Sequence, residues 1–341
     1  MSANTKPPVD PRAWTRDSLD ESQWRISVSP ECLEELSAVI SHLSRHPLPL
    51  LLLAADDFPL AACRTLTDLA RERLDAGPGV VVLDRFPIES WSREQTEAVF
   101  WLLGSMVGRP VVQTLDGKVM VEVTDTGVKK AIGVRGFRTN TAQNPHVDNS
   151  FNIAPPDYVS LLSLRGAIGG GVSRFVSFYT VHERLQTEHP ELLARLYEPF
   201  YQDRQGDYWS DEAQTVRYPI FERKPELRCR YTTFTIPAGY ITAGIPFEGR
   251  TREAFETMTS IVEDSSLYCE FVIRPGELQL VNNQYCGHGR TAYTDDPQAR
   301  RLLLRLWHRN WGGRGYSAVR MNHPATAGYL SSNRPHGIPH P

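Results

Sequence analysis

The chain has 341 residues, 40% of them hydrophobic and 23% charged, with a net charge of −3. That length fits one large domain or two small ones, and the near-neutral balance gives no electrostatic basis for binding nucleic acid or an anionic membrane. The longest apolar stretch, Leu48 to Ala55, is too short to span a bilayer, and the N-terminus lacks the charged-then-apolar order of a signal peptide. The five cysteines are scattered and form no CxxC pair, so a disulfide framework is not expected and a reducing cytoplasm is.

Residues 1–29, polar with prolines and mixed charges, read as a loose arm. Leu33, Leu36, Ile40 and Leu43 recur at helical spacing and predict a helix from Glu31 to His46, started by Pro30. A second helix is expected from about Leu60 to Leu74, before the breaker Gly77-Pro78-Gly79. Val80 to Leu83 is the first buried strand, and Ser92 caps a third helix with Ala98, Leu102 and Leu103 on its apolar side. Gly117 to Val123, Thr215 to Phe221 and Leu227 to Ile236 alternate as strands do. Val159 to Leu164 and Phe175 to Tyr179 read as buried strands flanking the turn Gly169-Gly170-Gly171. Val181 to Tyr197 and Thr251 to Val262 read as amphipathic helices. Glu270 to Arg274, Glu277 to Val281 and Leu302 to His308 are late strands, and the tail from Asn322 has no periodicity. Helices first, then many short strands with two helical insertions, predicts a mainly β fold decorated by helices: a sandwich or barrel. The arm and first helices would occupy 1–76, the β core 77–315 and a loose tail 316–341.

The chemistry centres on His146-Val147-Asp148 and a distant His288. Two imidazoles and one carboxylate are the donor set of a mononuclear non-haem Fe(II) site, filling one face of the metal and leaving the rest open. On an extended segment, residues i and i+2 point to the same side, so His146 and Asp148 can reach one ion. Taken alone, His-x-Asp is more often a surface loop, and a lone His288 a hydrogen-bonded loop or core histidine. The residues downstream of His288 change the weighting. Arg301 and Arg305 lie four apart in an otherwise apolar run, Leu302-Leu303-Leu304-Arg305-Leu306-Trp307. An unpaired guanidinium there is costly, so it needs an anion: a dicarboxylate held in a bidentate fork, or an internal salt bridge.

With these residues in view, the chain resembles the superfamily of Fe(II)/2-oxoglutarate oxygenases that contains taurine dioxygenase, 2,4-dichlorophenoxyacetate dioxygenase, γ-butyrobetaine hydroxylase and clavaminate synthase. The resemblance runs from about Gly79 to Trp307. It rests on His146, Asp148, His288 and Arg301, thirteen residues past His288, and on the block Asn283 to Arg290. It implies a double-stranded β-helix (jelly-roll) core with N-terminal and inserted helices. It also implies Fe(II) on His146, Asp148 and His288, with O2 and 2-oxoglutarate as co-substrates. Arg301 would bind the distal carboxylate of 2-oxoglutarate, assisted by Ser173, 27 residues after His146 and just past Gly170-Gly171. Arg305 would contact the C1 carboxylate or an anionic substrate. The implied reaction couples oxidative decarboxylation of 2-oxoglutarate, to succinate and CO2, with C–H oxidation of a polar small molecule. Hydroxylation is the default outcome, because Asp148 keeps the carboxylate that related halogenases lack. Desaturation, epoxidation and ring closure use the same oxidant.

Substrate recognition is expected on the amide- and hydroxyl-rich segments entering and leaving the metal loop, with Arg138, Asn149 and Phe151 as candidate contacts. The same residues could instead satisfy loop backbone groups. A cupin-like metal isomerase or hydrolase, or a non-catalytic binding protein, are the competing readings; Arg301 argues against the first, and the complete ligand set against the second. The expected partner is a small molecule, with neither nucleic acid nor membrane involved, and a homo-oligomer is possible.

Overall fold

The computed structural model describes residues 10–208, 210–223 and 225–310. Its centre is a pair of facing sheets. The larger has seven strands, ordered Arg25–Ser27, Val80–Asp84, Leu278–Asn282, Tyr158–Arg165, Leu302–Arg309 and Arg109–Val111, with Met120–Val123 also paired to Leu302–Arg309. The smaller has four: Tyr268–Phe271, Ser173–Ser177, Cys286–Arg290 and Gln143–His146.

Period-2 alternation decides which side of the large sheet meets which neighbour. Val80 and Val82 join a buried cluster with Phe175 and Val176 of the small sheet, while Val81 and Leu83 join a second cluster with the helices. Those helices are Pro30–Arg45, Ala61–Asp75 and Arg93–Val107. Ser29 and Ser92 cap the first and third, and Pro30 sits in the first turn of its helix, where a missing N–H costs nothing.

Four expectations need correction. The arm is not loose from residue 10 onward. Trp14 is buried and its indole N–H donates to the Pro78 carbonyl, and Arg25–Ser27 adds a parallel edge strand to Val80–Asp84. Three paired residues are too few to register as alternation. Val181 to Tyr197 is two helices, Phe178–Glu188 and Pro190–Leu196, because Pro190 cannot continue the first. The strand read as Phe175 to Tyr179 stops at Ser177, whose hydroxyl caps the helix beginning at Phe178. The strand Leu227 to Ile236 ends at Cys229, and Thr235–Ala243 is helical. Its β-branched residues suggested a strand, but Pro237 in the first turn and left-handed Gly244 at the end bracket a helix. The tail from Asn322 lies outside the described residues.

Candidate metal centre and active site

His146 ends the strand Gln143–His146, and His288 is the central residue of Cys286–Arg290. The two strands are antiparallel neighbours with His288 directly opposite His146. That register, rather than proximity in sequence, brings residues 142 positions apart to a ring-centroid separation of 4.8 Å. Gly289 permits the close approach: a Cβ there would lie 2.4 Å from the Gln143 carbonyl oxygen. Asp148 follows His146 and is fixed through its backbone. Its N–H donates to Asn283 Oδ1 at 2.8 Å, and its carbonyl accepts from Asn283 Nδ2 at 3.0 Å.

The side chains converge. Asp148 Oδ1 is 3.3 Å from His146 Nε2 and 3.7 Å from His288 Nε2. One ligand atom from each residue lies within 4.8 Å of the others. The second oxygen, Oδ2, accepts from Trp307 Nε1 at 2.7 Å and Arg305 Nη1 at 3.0 Å, so the carboxylate is oriented with Oδ1 toward the two imidazoles. His146 Nδ1 bonds the Asn144 carbonyl at 2.9 Å, which leaves the Nε2 lone pair directed at the same point. Burial alone would push the Asp148 carboxyl up; Arg305, His146 and His288 more than offset it and hold it well below the usual carboxylate range. Burial lowers His288 below the ordinary imidazole value, keeping it neutral and able to ligate. An anionic oxygen and two outward-facing imidazole nitrogens fit a ferrous ion.

Two cavities open from this centre. The inner one is lined by Ser173, Gln279, Arg301 and Arg305 together with His146, Asp148 and His288. Arg301 is 4% exposed, stacks 5.1 Å from the Tyr293 ring, and has a buried Nη1 with no partner among the described residues. Burial pulls its basicity down by more than the nearby Tyr293 and Asp295 offset. Ser173 donates to Gln279 at 3.3 Å nearby. Arg301 lies one residue before the strand Leu302–Arg309, and a bulge between Leu302 and Leu303 intervenes, yet Arg301 and Arg305 still face one cavity. Arg305 has Nε on Gln113 Oε1 at 2.8 Å and lies between the rings of Phe137 and Trp307.

The outer cavity is lined by Lys130, Arg135, Gln143, Asn149, Phe151, Thr235 and Trp307, among others. Asn149 and Phe151 are thus where the sequence suggested. Arg138 is not. It is exposed and opens onto a separate groove with Lys118 and Glu122, because the 3-10 turn Gly136–Arg138 sends Phe137 inward and Arg138 outward. The inward cation on this segment is Arg135, which ion-pairs with Asp207 and stacks 5.4 Å from Phe151.

Sequence reasoning also missed Gln113, Trp307 as a hydrogen-bond donor, and Arg290. The Arg290 guanidinium donates to the carbonyls of Thr141 and Thr139, each at 2.6 Å, tying the substrate-side segment to the metal strand. The only hint of that role was its place two residues after His288.

Residues 44–307 match the taurine catabolism dioxygenase TauD, TfdA family. The chain belongs to that family. It is an iron- and 2-oxoglutarate-dependent oxygenase of small molecules, with His146, Asp148 and His288 gathered as its metal-binding triad. Among curated relatives, FR-33289 synthase of Streptomyces rubellomurinus (strain ATCC 31215) is 28% identical over 329 residues, covering 93% of this chain and 95% of the relative. A uridine-5'-phosphate dioxygenase from a Streptomyces species is 26% identical over 179 residues, covering 51% of this chain and 64% of its own. The fold is shared with asparagine oxygenase (19% identity, TM-score 0.61, 83% of this chain and 93% of that one) and with the non-haem iron oxygenase OrfP (16% identity, TM-score 0.63, 84% and 94%). No described helix is long and apolar enough to cross a membrane.

Proposed function

We propose that this oxygenase hydroxylates a polar small molecule, an amino acid or natural-product intermediate, held in the outer cavity while 2-oxoglutarate occupies the inner one. The facing sheets are read as the double-stranded β-helix of the family, and the free cysteines suit a reducing cytoplasm. His146, Asp148 and His288 would hold Fe(II), which with bound 2-oxoglutarate and O2 supplies the C–H-oxidising power and leaves succinate and CO2.

The protein's own contribution is placement. Arg301, with Ser173 beside it, is the anchor for the distal carboxylate of 2-oxoglutarate. Arg305 and Trp307 hold Asp148 in one rotamer, and Arg305 also faces the place where the two cavities meet. Phe137, Phe151 and Trp307 wall the outer cavity against water; Gln143 and Asn149 offer hydrogen bonds to a polar substrate. The observation that carries this reading is the buried Arg301 guanidinium, whose Nη1 has no partner among the described residues, in the cavity that also contains the triad. A metal isomerase would not need that cation. The relatives' names favour small metabolites, one of them a nucleoside phosphate.

The test is anaerobic mixing of protein, Fe(II) and 2-oxoglutarate. A visible metal-to-ligand charge-transfer band, lost in His288→Ala and needing roughly 10-fold or more 2-oxoglutarate in Arg301→Gln, is expected from the loss of one charge-assisted hydrogen-bonded anchor. Full iron binding with no band would refute the assignment.

A further inference from the structure

Resting on the reading that the outer cavity receives the substrate, we propose that this substrate carries a phosphoryl-type dianion, seated at the N-terminus of the helix Thr235–Ala243 and balanced by Lys130 and Arg305. Three features of the cavity carry it.

The first is the helix end. Its N-cap is Phe234, which supplies no side-chain cap, so the first-turn N–H groups are open to a ligand from the cavity that Phe234 and Thr235 line. Such an end attracts oxyanions through its N–H donors and its partial positive charge. Pro237 removes one donor of that turn, and of the residues ahead of it Thr235 is the one that lines the cavity.

The second is a side chain waiting for a partner. Thr235 is 4% exposed, yet its buried Oγ1 has no hydrogen-bond partner among the described residues. An unmade hydrogen bond at such a buried site is costly, and a ligand oxygen would supply it.

The third is charge. Among the described residues, Asp148 is the only carboxylate lining the outer cavity, against Lys130, Arg135 and Arg305. With Fe(II) and 2-oxoglutarate in place, the metal is balanced by Asp148 and one carboxylate of the co-substrate. Arg301 balances the other carboxylate, and Asp207 pairs with Arg135. Exposed Lys130, whose ammonium sits 5.4 Å from the Phe234 ring, and Arg305, whose Nη1 donates to Asp148 Oδ2, then add two positive charges that the site's anions do not match in number. A phosphate monoester carries about −1.5 to −2 at neutral pH, which matches that surplus; a carboxylate matches only half of it.

Removing the metal and 2-oxoglutarate together subtracts equal and opposite charge, so the site can be probed in metal-free protein. Binding of methyl phosphate, with acetate as comparison, would be followed by NMR on wild type, Thr235→Val and Lys130→Gln. The expected result is saturable methyl phosphate binding that weakens roughly 5- to 10-fold in each variant, with acetate bound more weakly than methyl phosphate throughout. In the Fe(II)/2-oxoglutarate protein, methyl phosphate should shift the charge-transfer band of wild type, and both variants should form that band normally. Absent binding, equal binding in all three proteins, or acetate bound as tightly as methyl phosphate would overturn the proposal. Failure of the band to form in wild type would instead overturn the functional reading, whatever the phosphate result.

Discussion

Gly289→Ala should uncouple the two ligand strands. The new Cβ would stand 2.4 Å from the Gln143 carbonyl oxygen and 2.8 Å from Asn144 C and Pro145 N, all backbone atoms of the strand carrying His146. Ordinary contact begins at 3.4 Å, so that strand must retreat by on the order of 1 Å. Metal–ligand distances tolerate only about 0.2 Å, and two of the three ligands, His146 and Asp148, travel with the displaced segment. Stability should fall by about 1–3 kcal/mol through overpacking, and Fe(II) affinity by at least about 100-fold. Gly287→Ala is the control. Its Cβ meets side-chain atoms of Phe178 and Val176 at 2.8 Å, so it costs comparable stability without pushing the His146 strand. Anaerobic Fe(II) titration calorimetry and urea unfolding on the two variants separate the effects. The reasoning fails if Gly289→Ala folds and binds Fe(II) like wild type. It fails equally if Gly287→Ala loses as much affinity, since affinity would then follow global stability and not strand spacing.

Trp307→Phe deletes the indole donor to Asp148 Oδ2 while keeping an aromatic ring, and should lower Fe(II) affinity about 10- to 100-fold; an unchanged dissociation constant would show that Arg305 alone orients the carboxylate. Buried His308, bonded to the Ser160 hydroxyl, is pushed by burial down to about 4. The unfolded chain therefore binds the extra proton between about pH 6.5 and 4, and stability is lost as pH falls through that window. By pH 5 the loss from this residue is about 2 kcal/mol. In metal-free His308→Gln the difference between urea stabilities at pH 7 and pH 5 should shrink by about that amount, and an identical difference would place the acid sensitivity elsewhere. Arg290→Lys swaps a fork for a single ammonium and should strand one of the carbonyls of Thr139 and Thr141, at a cost of about 1–2 kcal/mol. Hydrogen exchange over residues 136–141 should accelerate; unaltered exchange would mean the segment is held by other contacts.

Legibility in the sequence depended on where each residue sits. His146 and Asp148 were legible as a close pair on an extended segment, although Asp148 lies in the turn just past the strand Gln143–His146, and His288, expected on a loop, is the centre of the strand Cys286–Arg290. The strand Val80–Asp84 was legible too, and its two faces sort onto two different cores. The helices Pro30–Arg45 and Arg93–Val107 were legible through their caps and period. The pairing of His288 with His146 was not, since register across 142 residues is decided by contacts such as Gly289 on Gln143 that no local pattern encodes.

The substrate side was harder for a related reason. Lys130, Arg135 and Gln205 line the cavity from irregular backbone, where a single turn decides direction. Arg135 and Arg138 are three residues apart and both basic, yet the turn between them sends one to Asp207 and Phe151 and the other to a different groove. Thr235 faces the cavity because the chain turns helical there, against the strand that its β-branched neighbours suggested. The two histidine ligands are therefore carried on strands, while the residues around the outer cavity are set by turns. Changes among Lys130, Arg135 and Thr235 should alter which molecule is bound long before they disturb iron, whereas a single methyl group at Gly289 should do the reverse.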